Sequence, residues 1–278
     1  MPSSIHLPDR EVQACGASAS RDREQLLSEP VALAWQAFDR AANLACRVTP
    51  AVPVLFFGNL EAYRASPLRV VTVGLNPSLH EFPTGVPFRR FPLATGKREP
   101  RRYLDAMSDY FCTDPYGSWF NAFQPLLNGL DTSYYKGAAS IALHTDICSP
   151  VATNPTWGKL GKDDRAALEA DGIPLWHKLL EELRPQIVAI SVAKVHLKSI
   201  KFKSEKNWKN IHTFERRPDG APRAPYKICA RWHNVGGERS LFVFGAAAQK
   251  PFGLLADSQK QEAGELLRKE YCRTARMR

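Results

Sequence analysis

The sequence predicts an α/β fold built on a parallel sheet with helices on both faces. Two observations carry this. Apolar, β-branched runs recur at Leu68–Val73, Ser140–His144, Gln186–Val192 and Ser240–Phe244. Segments of helical spacing lie between them, and strands alternating with helices close into a parallel sheet.

The elements follow in order. Residues 1–20 are rich in Ser, Ala and polar side chains and read as a flexible lead-in, with 21–278 as a single domain. From about Arg21 to Cys46, Leu26, Leu27, Val31, Leu33, Ala34, Phe38, Ala42 and Leu44 fall at helical spacing, and Pro50 and Pro53 end that region. The spacing predicts further helices over Tyr116–Leu127, over Asp163–Leu183 with a break around Gly172-Ile173-Pro174, after Ser191, and from about Asp257 to Cys272. A short extra strand is expected near Tyr226–Trp232.

Composition narrows the class. A chain of 278 residues with 44% hydrophobic content has enough apolar side chains for a core. No apolar run is long enough for a membrane span, and the first ten residues carry no apolar leader, so a cytoplasmic protein is expected. The six cysteines form no Cys-x-x-Cys pair and read as thiols in a reducing compartment. The seven histidines fall in no zinc-hydrolase or zinc-deaminase pattern, so neither metal nor cofactor is expected.

The formal net charge of +10 points to a polyanion, DNA or RNA first. Two segments concentrate it. One holds Arg89, Arg90, Lys97, Arg98, Arg101 and Arg102 against Glu99 alone. The other runs from Lys194 to Arg217 with Trp208 among its basic residues. Basic residues interleaved with aromatics suit a surface that tracks phosphates, although a solvated basic face has the same composition.

The candidate chemistry begins where the first strand stops. Val70-Val71-Thr72-Val73 runs into Gly74-Leu75-Asn76-Pro77-Ser78, and Thr84-Gly85-Val86-Pro87-Phe88 follows. Open α/β sheets carry their sites beyond the carboxyl ends of strands, which is where Asn76 falls. Asn-Pro is also a common turn signal, so Asn76 alone would read as structural.

The two motifs at this interval resemble the uracil-DNA glycosylase superfamily, with the mismatch-specific uracil/thymine branch nearest by motif. The resemblance implies a three-layer α/β/α sandwich with a central four-stranded, mainly parallel sheet. It implies hydrolysis of the N-glycosidic bond of a flipped-out nucleotide, with DNA as partner and a monomeric chain. Asn76 would position the attacking water, and Phe88 would stack on the extruded base. Gly74, Leu75 and His80 would stand beside them in the base pocket.

The residue types suit that chemistry. Glycosidic cleavage passes through an oxocarbenium-like sugar, which needs little push from the nucleophile, and an amide oxygen can orient water without taking its proton. An aromatic face returns part of the stacking that an extruded base loses.

Asp146 departs from the family pattern, in which the second strand end often carries an Asn that reads the pyrimidine edge. An ionised Asp only accepts hydrogen bonds, so it suits the N4 amino group of cytosine better than O4 of uracil. This tilts the expected substrate towards a modified cytosine, as in hypermodified phage DNA attacked in antiviral defence. Capping of the following loop is an equal alternative for Asp146.

The last strand leads into Gly245-Ala246-Ala247-Ala248-Gln249-Lys250-Pro251-Phe252, where many family members enter the minor groove and several carry a His. No His stands here. Lys250 would contact phosphate or stabilise the departing base, and Gln249, Phe252 or Leu254 would fill the gap in the duplex. Lys250 is also the one lysine placed for a Schiff-base route.

The alternative function is a nucleic-acid-binding module with the same fold and no catalysis. A phosphate-cradling loop and a nucleophile elbow are both absent from the sequence, which weighs against nucleotide-binding and α/β-hydrolase classes.

Overall fold

A computed structural model describes residues 27–275, and the expected lead-in over 1–20 lies outside them. The chain is mixed α/β, and its central, mostly parallel sheet has six strands rather than four. The strands are β1 (Val70–Gly74), β4 (Leu143–Asp146), β5 (Ile187–Ile190), β6 (Lys209–Arg216), β7 (Pro222–Val235) and β8 (Glu238–Phe244). Their order is β4-β1-β5-β8-β7-β6. The first four are mutually parallel, and β7 and β6 extend the sheet antiparallel. A separate pair, β2 (Thr132–Ser133) and β3 (Ser140–Ile141), lies outside it.

β1 and β5 read as nearly continuous apolar runs because they are buried on both faces, whereas β4 carries His144, Thr145 and Asp146. Every residue of β1 and β5 is buried. The two added strands are less legible. β6 starts Lys-Asn and ends Glu-Arg, with both ends exposed. β7 contains the short strand expected at Tyr226–Trp232 but outruns β8. Its pairing with β8 starts at Cys229–Phe244, whereas His212–Ile228, Thr213–Lys227, Phe214–Tyr226 and Arg216–Pro222 pair within the β6–β7 hairpin alone.

Helices flank the sheet: α1 (Ser28–Arg40), α2 (Leu60–Ala65), α3 (Pro100–Ser108), α4 (Gly117–Phe120), α5 (Gln124–Gly129), α6 (Lys162–Leu183) and α7 (Asp257–Ala275). Alternation along β4 assigns the two faces. His144 meets Phe120 and Phe123 at ring centroid distances of 5.1 and 5.6 Å. Its neighbour Thr145, on the opposite face, accepts a 3.1 Å hydrogen bond from Trp176 Nε1 of α6.

Several helices differ from expectation. The first ends at Arg40 rather than near Cys46, and positions 21–26 of the expected segment lie outside the described residues. The segment expected as one helix over Tyr116–Leu127 splits into α4 and α5. The helix expected after Ser191 is a single 3₁₀ stretch, Lys194–Ser199. α6 runs unbroken through Pro174. Gly172 serves packing there rather than a break, because a Cβ would stand 2.0 Å from the Cys148 carbonyl oxygen.

Beyond the sheet, the loops after β1 and β4 are zipped together. Ile147 N donates to Gly74 O, and Cys148 N donates to Leu75 O. Thr153 N then donates to Pro77 O, and Leu79 N to Thr153 O. This pairing brings the two strand ends to one place.

Candidate active site

A cavity of about 500 Å³ opens at the carboxyl ends of β1 and β4. That lies within the span of small-molecule sites, roughly 300–1,000 Å³. Leu75, Asn76, Pro77, Ser78, His80 and Glu81 line it on the β1 side, and His144 and Asp146 on the β4 side. Phe57, Tyr116, Trp119, Phe120 and Trp157 supply aromatic walls, and Gln249 reaches in from the loop after β8.

Asn76 is fixed by its nitrogen. Nδ2 donates to Pro77 O at 2.7 Å, to Thr153 Oγ1 at 2.9 Å and to Val151 O at 3.1 Å. Two of those acceptors are carbonyls, which decides which end of the amide is nitrogen. Oδ1 accepts nothing from the described residues, so a half-buried amide presents an acceptor at the pocket wall.

Asp146 sits opposite Gly74 in the β1–β4 register. Its side chain is 5% exposed, with Oδ1 3.6 Å from His144 Nε2. His144 Nδ1 lies 2.7 Å from Thr72 Oγ1, which lies 2.5 Å from the Tyr134 hydroxyl. Thr72 Oγ1 thus links the Tyr134 hydroxyl to His144 Nδ1, and the other ring nitrogen, Nε2, faces Asp146. A buried polar chain therefore backs the carboxylate from inside the core.

Glu81 is a buried carboxyl in the same wall. It accepts a 2.5 Å hydrogen bond from the Tyr110 hydroxyl, which itself accepts from Tyr116 N. Burial pushes Glu81 up to about 8; the Tyr110 bond and Arg90 oppose this, and Asp146 adds to it. At neutral pH its carboxyl is protonated and offers a donor in an aromatic pocket. His80 lies over Tyr116, ring planes 14° apart and centroids 4.6 Å apart. Trp157 Nε1 is buried with no acceptor among the described residues.

Of the residues singled out in the sequence, Leu75, Asn76, His80, Asp146 and Gln249 meet at this cavity, and Gly74 makes room behind Asp146. Phe88 does not join them. It lines a separate cavity of about 250 Å³ with Trp35, Phe38 and Val52, and packs edge-on to Phe82 at 6.3 Å. Successive turns, Arg89 N to Val86 O and Phe91 N to Phe88 O, carry the chain around so that Phe82 and Phe91 take the buried positions instead.

Phe252 is fully buried and cannot act as a wedge in DNA. Its amide donates to Ser191 Oγ, and its ring occupies the space a Cβ on Gly245 would need. Leu254, two residues on, is exposed. Lys250 is exposed in the same loop.

The first basic segment is partly neutralised. Arg89 and Arg90 both face Asp114, at 2.8 and 3.6 Å, and Arg90 is 15% exposed. Arg98 makes a two-pronged pair with Asp39 at 2.7 Å and lies 4.2 Å over Trp35. Lys97 is exposed and makes no ion pair among the described residues. The second segment follows the carboxyl end of β5 and passes into β6.

Glu81, Tyr116, Trp119 and Trp157 were not found from the sequence. For Glu81 a signal existed, a single carboxylate between Leu79 and Phe82 next to the Asn76 motif. For the aromatics none existed, because residues far apart in the chain meet only through the fold. The sequence matches no protein-family model, and no curated protein matches it significantly.

Proposed function

We propose that the chain is a monofunctional DNA glycosylase that hydrolyses the N-glycosidic bond of an extruded, modified pyrimidine and leaves an abasic site. The carrying observation is the Asn76 amide, pinned by three acceptors on nitrogen, with its oxygen free at a pocket that also holds Asp146 and an aromatic wall. The motif resemblance to uracil-DNA glycosylases supports the same reading.

In this reading Asn76 Oδ1 accepts from a water beneath the anomeric carbon. The water oxygen bonds to that carbon as the bond to the base breaks, the electron pair leaves with the base, and the oxygen that has bonded releases its extra proton to solvent, from which Glu81 is reprotonated after each turnover. The base then needs a proton or a donor. Glu81, protonated at neutral pH, supplies one from the same wall, where the loop after β8 has no His. Asp146 favours an amino donor on the base edge, hence cytosine chemistry over uracil. With Phe88 elsewhere, stacking falls to the pocket aromatics, of which Tyr116 and Trp119 are half-buried.

The test is base release from DNA carrying uracil, mismatched thymine, hydroxymethylcytosine or glucosylated hydroxymethylcytosine, read by mass spectrometry. Release of a modified cytosine with an alkali-labile site left behind is expected. Release of uracil alone removes the cytosine tilt. Salt-sensitive binding with no release from any of these favours the non-catalytic nucleic-acid-binding module.

A further inference from the structure

Behind the pocket, on the α6 side of β4, three metal-binding side chains converge. They are Cys148 from the loop after β4, Glu169 from α6 and His196 from the 3₁₀ turn after β5. Cys148 Sγ lies 3.8 Å from Glu169 Oε1 and 3.8 Å from His196 Nδ1, and all three ligand atoms lie within 4.8 Å of one another. We propose that Cys148, Glu169 and His196 form a binding site for a zinc-class divalent cation that ties the loop beside Asn76 to α6.

Geometry carries the proposal. Around zinc, sulfur sits at about 2.3 Å and nitrogen or oxygen at about 2.0–2.2 Å, so tetrahedral ligands stand roughly 3.6 Å apart. The two separations from Cys148 Sγ exceed that by about 0.2 Å and the Glu169–His196 one stays within 4.8 Å, so the two partly exposed side chains close in on Sγ to share one cation. Three protein ligands leave one position for water. The donor set of thiolate, imidazole and carboxylate is one that zinc accepts.

Charge agrees. A thiolate and a carboxylate together balance a dication, and a cation would take the place of the thiol proton that Cys148 Sγ donates to Glu169 Oε1.

The consequence is mechanical. Cys148 N donates to Leu75 O, next to Asn76. The same loop supplies Val151 O and Thr153 Oγ1 to the Asn76 amide. A cation at Cys148 would anchor that loop to α6 and to the turn after β5.

The test uses the full chain, stripped with a chelator and titrated with cobalt(II) and then zinc(II). One equivalent of cobalt per chain with a thiolate-to-cobalt charge-transfer band is expected, followed by displacement with zinc and a raised thermal midpoint. Cys148→Ser should abolish the band. Glu169→Gln and His196→Gln, on partly exposed side chains, should each weaken zinc binding by about tenfold or more and erase the thermal shift. Absence of the band in the unaltered protein overturns the proposal. So does a band with undiminished affinity in both Glu169→Gln and His196→Gln.

Discussion

Gly74 and Asp146 face each other across the β1–β4 ladder, and the missing side chain of one is the space taken by the other. A Cβ on Gly74 would stand 2.5 Å from Asp146 Oδ1 and 3.0 Å from His144 Nε2. Gly74→Ala must therefore push the carboxylate out of place. Base release should fall by about tenfold or more, and stability by about 1–3 kcal/mol, the usual cost of overpacking. Parallel release assays and urea melts check both, and unchanged release would detach Asp146 from the reaction.

Asn76→Ala removes the Oδ1 acceptor at the pocket wall and strands Pro77 O, Val151 O and Thr153 Oγ1. Base release should drop more than about a hundredfold, the scale of losing one positioned polar group in an active site. Stability should fall by about 1–3 kcal/mol from the unpaired acceptors, and DNA affinity should hold within a few-fold. A matching loss of affinity would make Asn76 a scaffold residue.

Asp146→Asn replaces an acceptor with a group that both donates and accepts. Preference should move from modified cytosine towards uracil, measured as the ratio of release rates on paired substrates. An unmoved ratio would take Asp146 out of base reading.

Glu81 makes stability depend on pH. Its folded pKa of about 8 lies above the ordinary 4.5, so between those values the native chain holds a proton the unfolded chain has released. Stability from this group is full below about pH 4.5 and is lost as pH rises through about 8. Glu81→Gln should flatten the slope of unfolding free energy across that window, read by urea melts at several pH values. In the proposed chemistry it should also lower base release at neutral pH.

Phe88 and Trp119 separate packing from site. Phe88→Ala should lower the melting point yet leave base release per folded molecule within a few-fold, because Phe88 lies in the Trp35 cavity. Trp119→Ala should weaken capture of the extruded base by about 1–3 kcal/mol, the range for base–aromatic stacking, seen as a raised KM. The reverse pattern would return the stacking role to Phe88.

β1 and β5 were legible because strands buried on both faces are nearly apolar along their length, Thr72 being the exception. The Asn76 loop was legible because it is continuous in sequence. Asp146 followed from its place at a strand end. What stayed hidden came from distance or from mixed signals. β6 opens Lys-Asn and closes Glu-Arg, so its paired interior, His212 to Phe214, is masked by charge. Interval along the chain placed Phe88 twelve residues (88 − 76) after Asn76, yet the turns between them aim it into another cavity. Arginine-rich composition read as free positive charge, whereas Asp39 and Asp114, distant in sequence, take up Arg98, Arg89 and Arg90.

The β6–β7 hairpin continues past the last β8 pair, from Ile228 to Pro222, for roughly 23 Å at 3.3 Å per residue. Arg216 and Arg223 stand at its far end, which Gln259 of α7 braces through the Arg216 carbonyl and the Arg223 guanidinium. In the proposed complex, with DNA at the Asn76 pocket, this braced edge would stand on the carboxyl-end side of the sheet, towards one flank of the duplex. Nuclease protection would then be lopsided, longer on the flank under the hairpin, and shortening the arm would trim that flank alone.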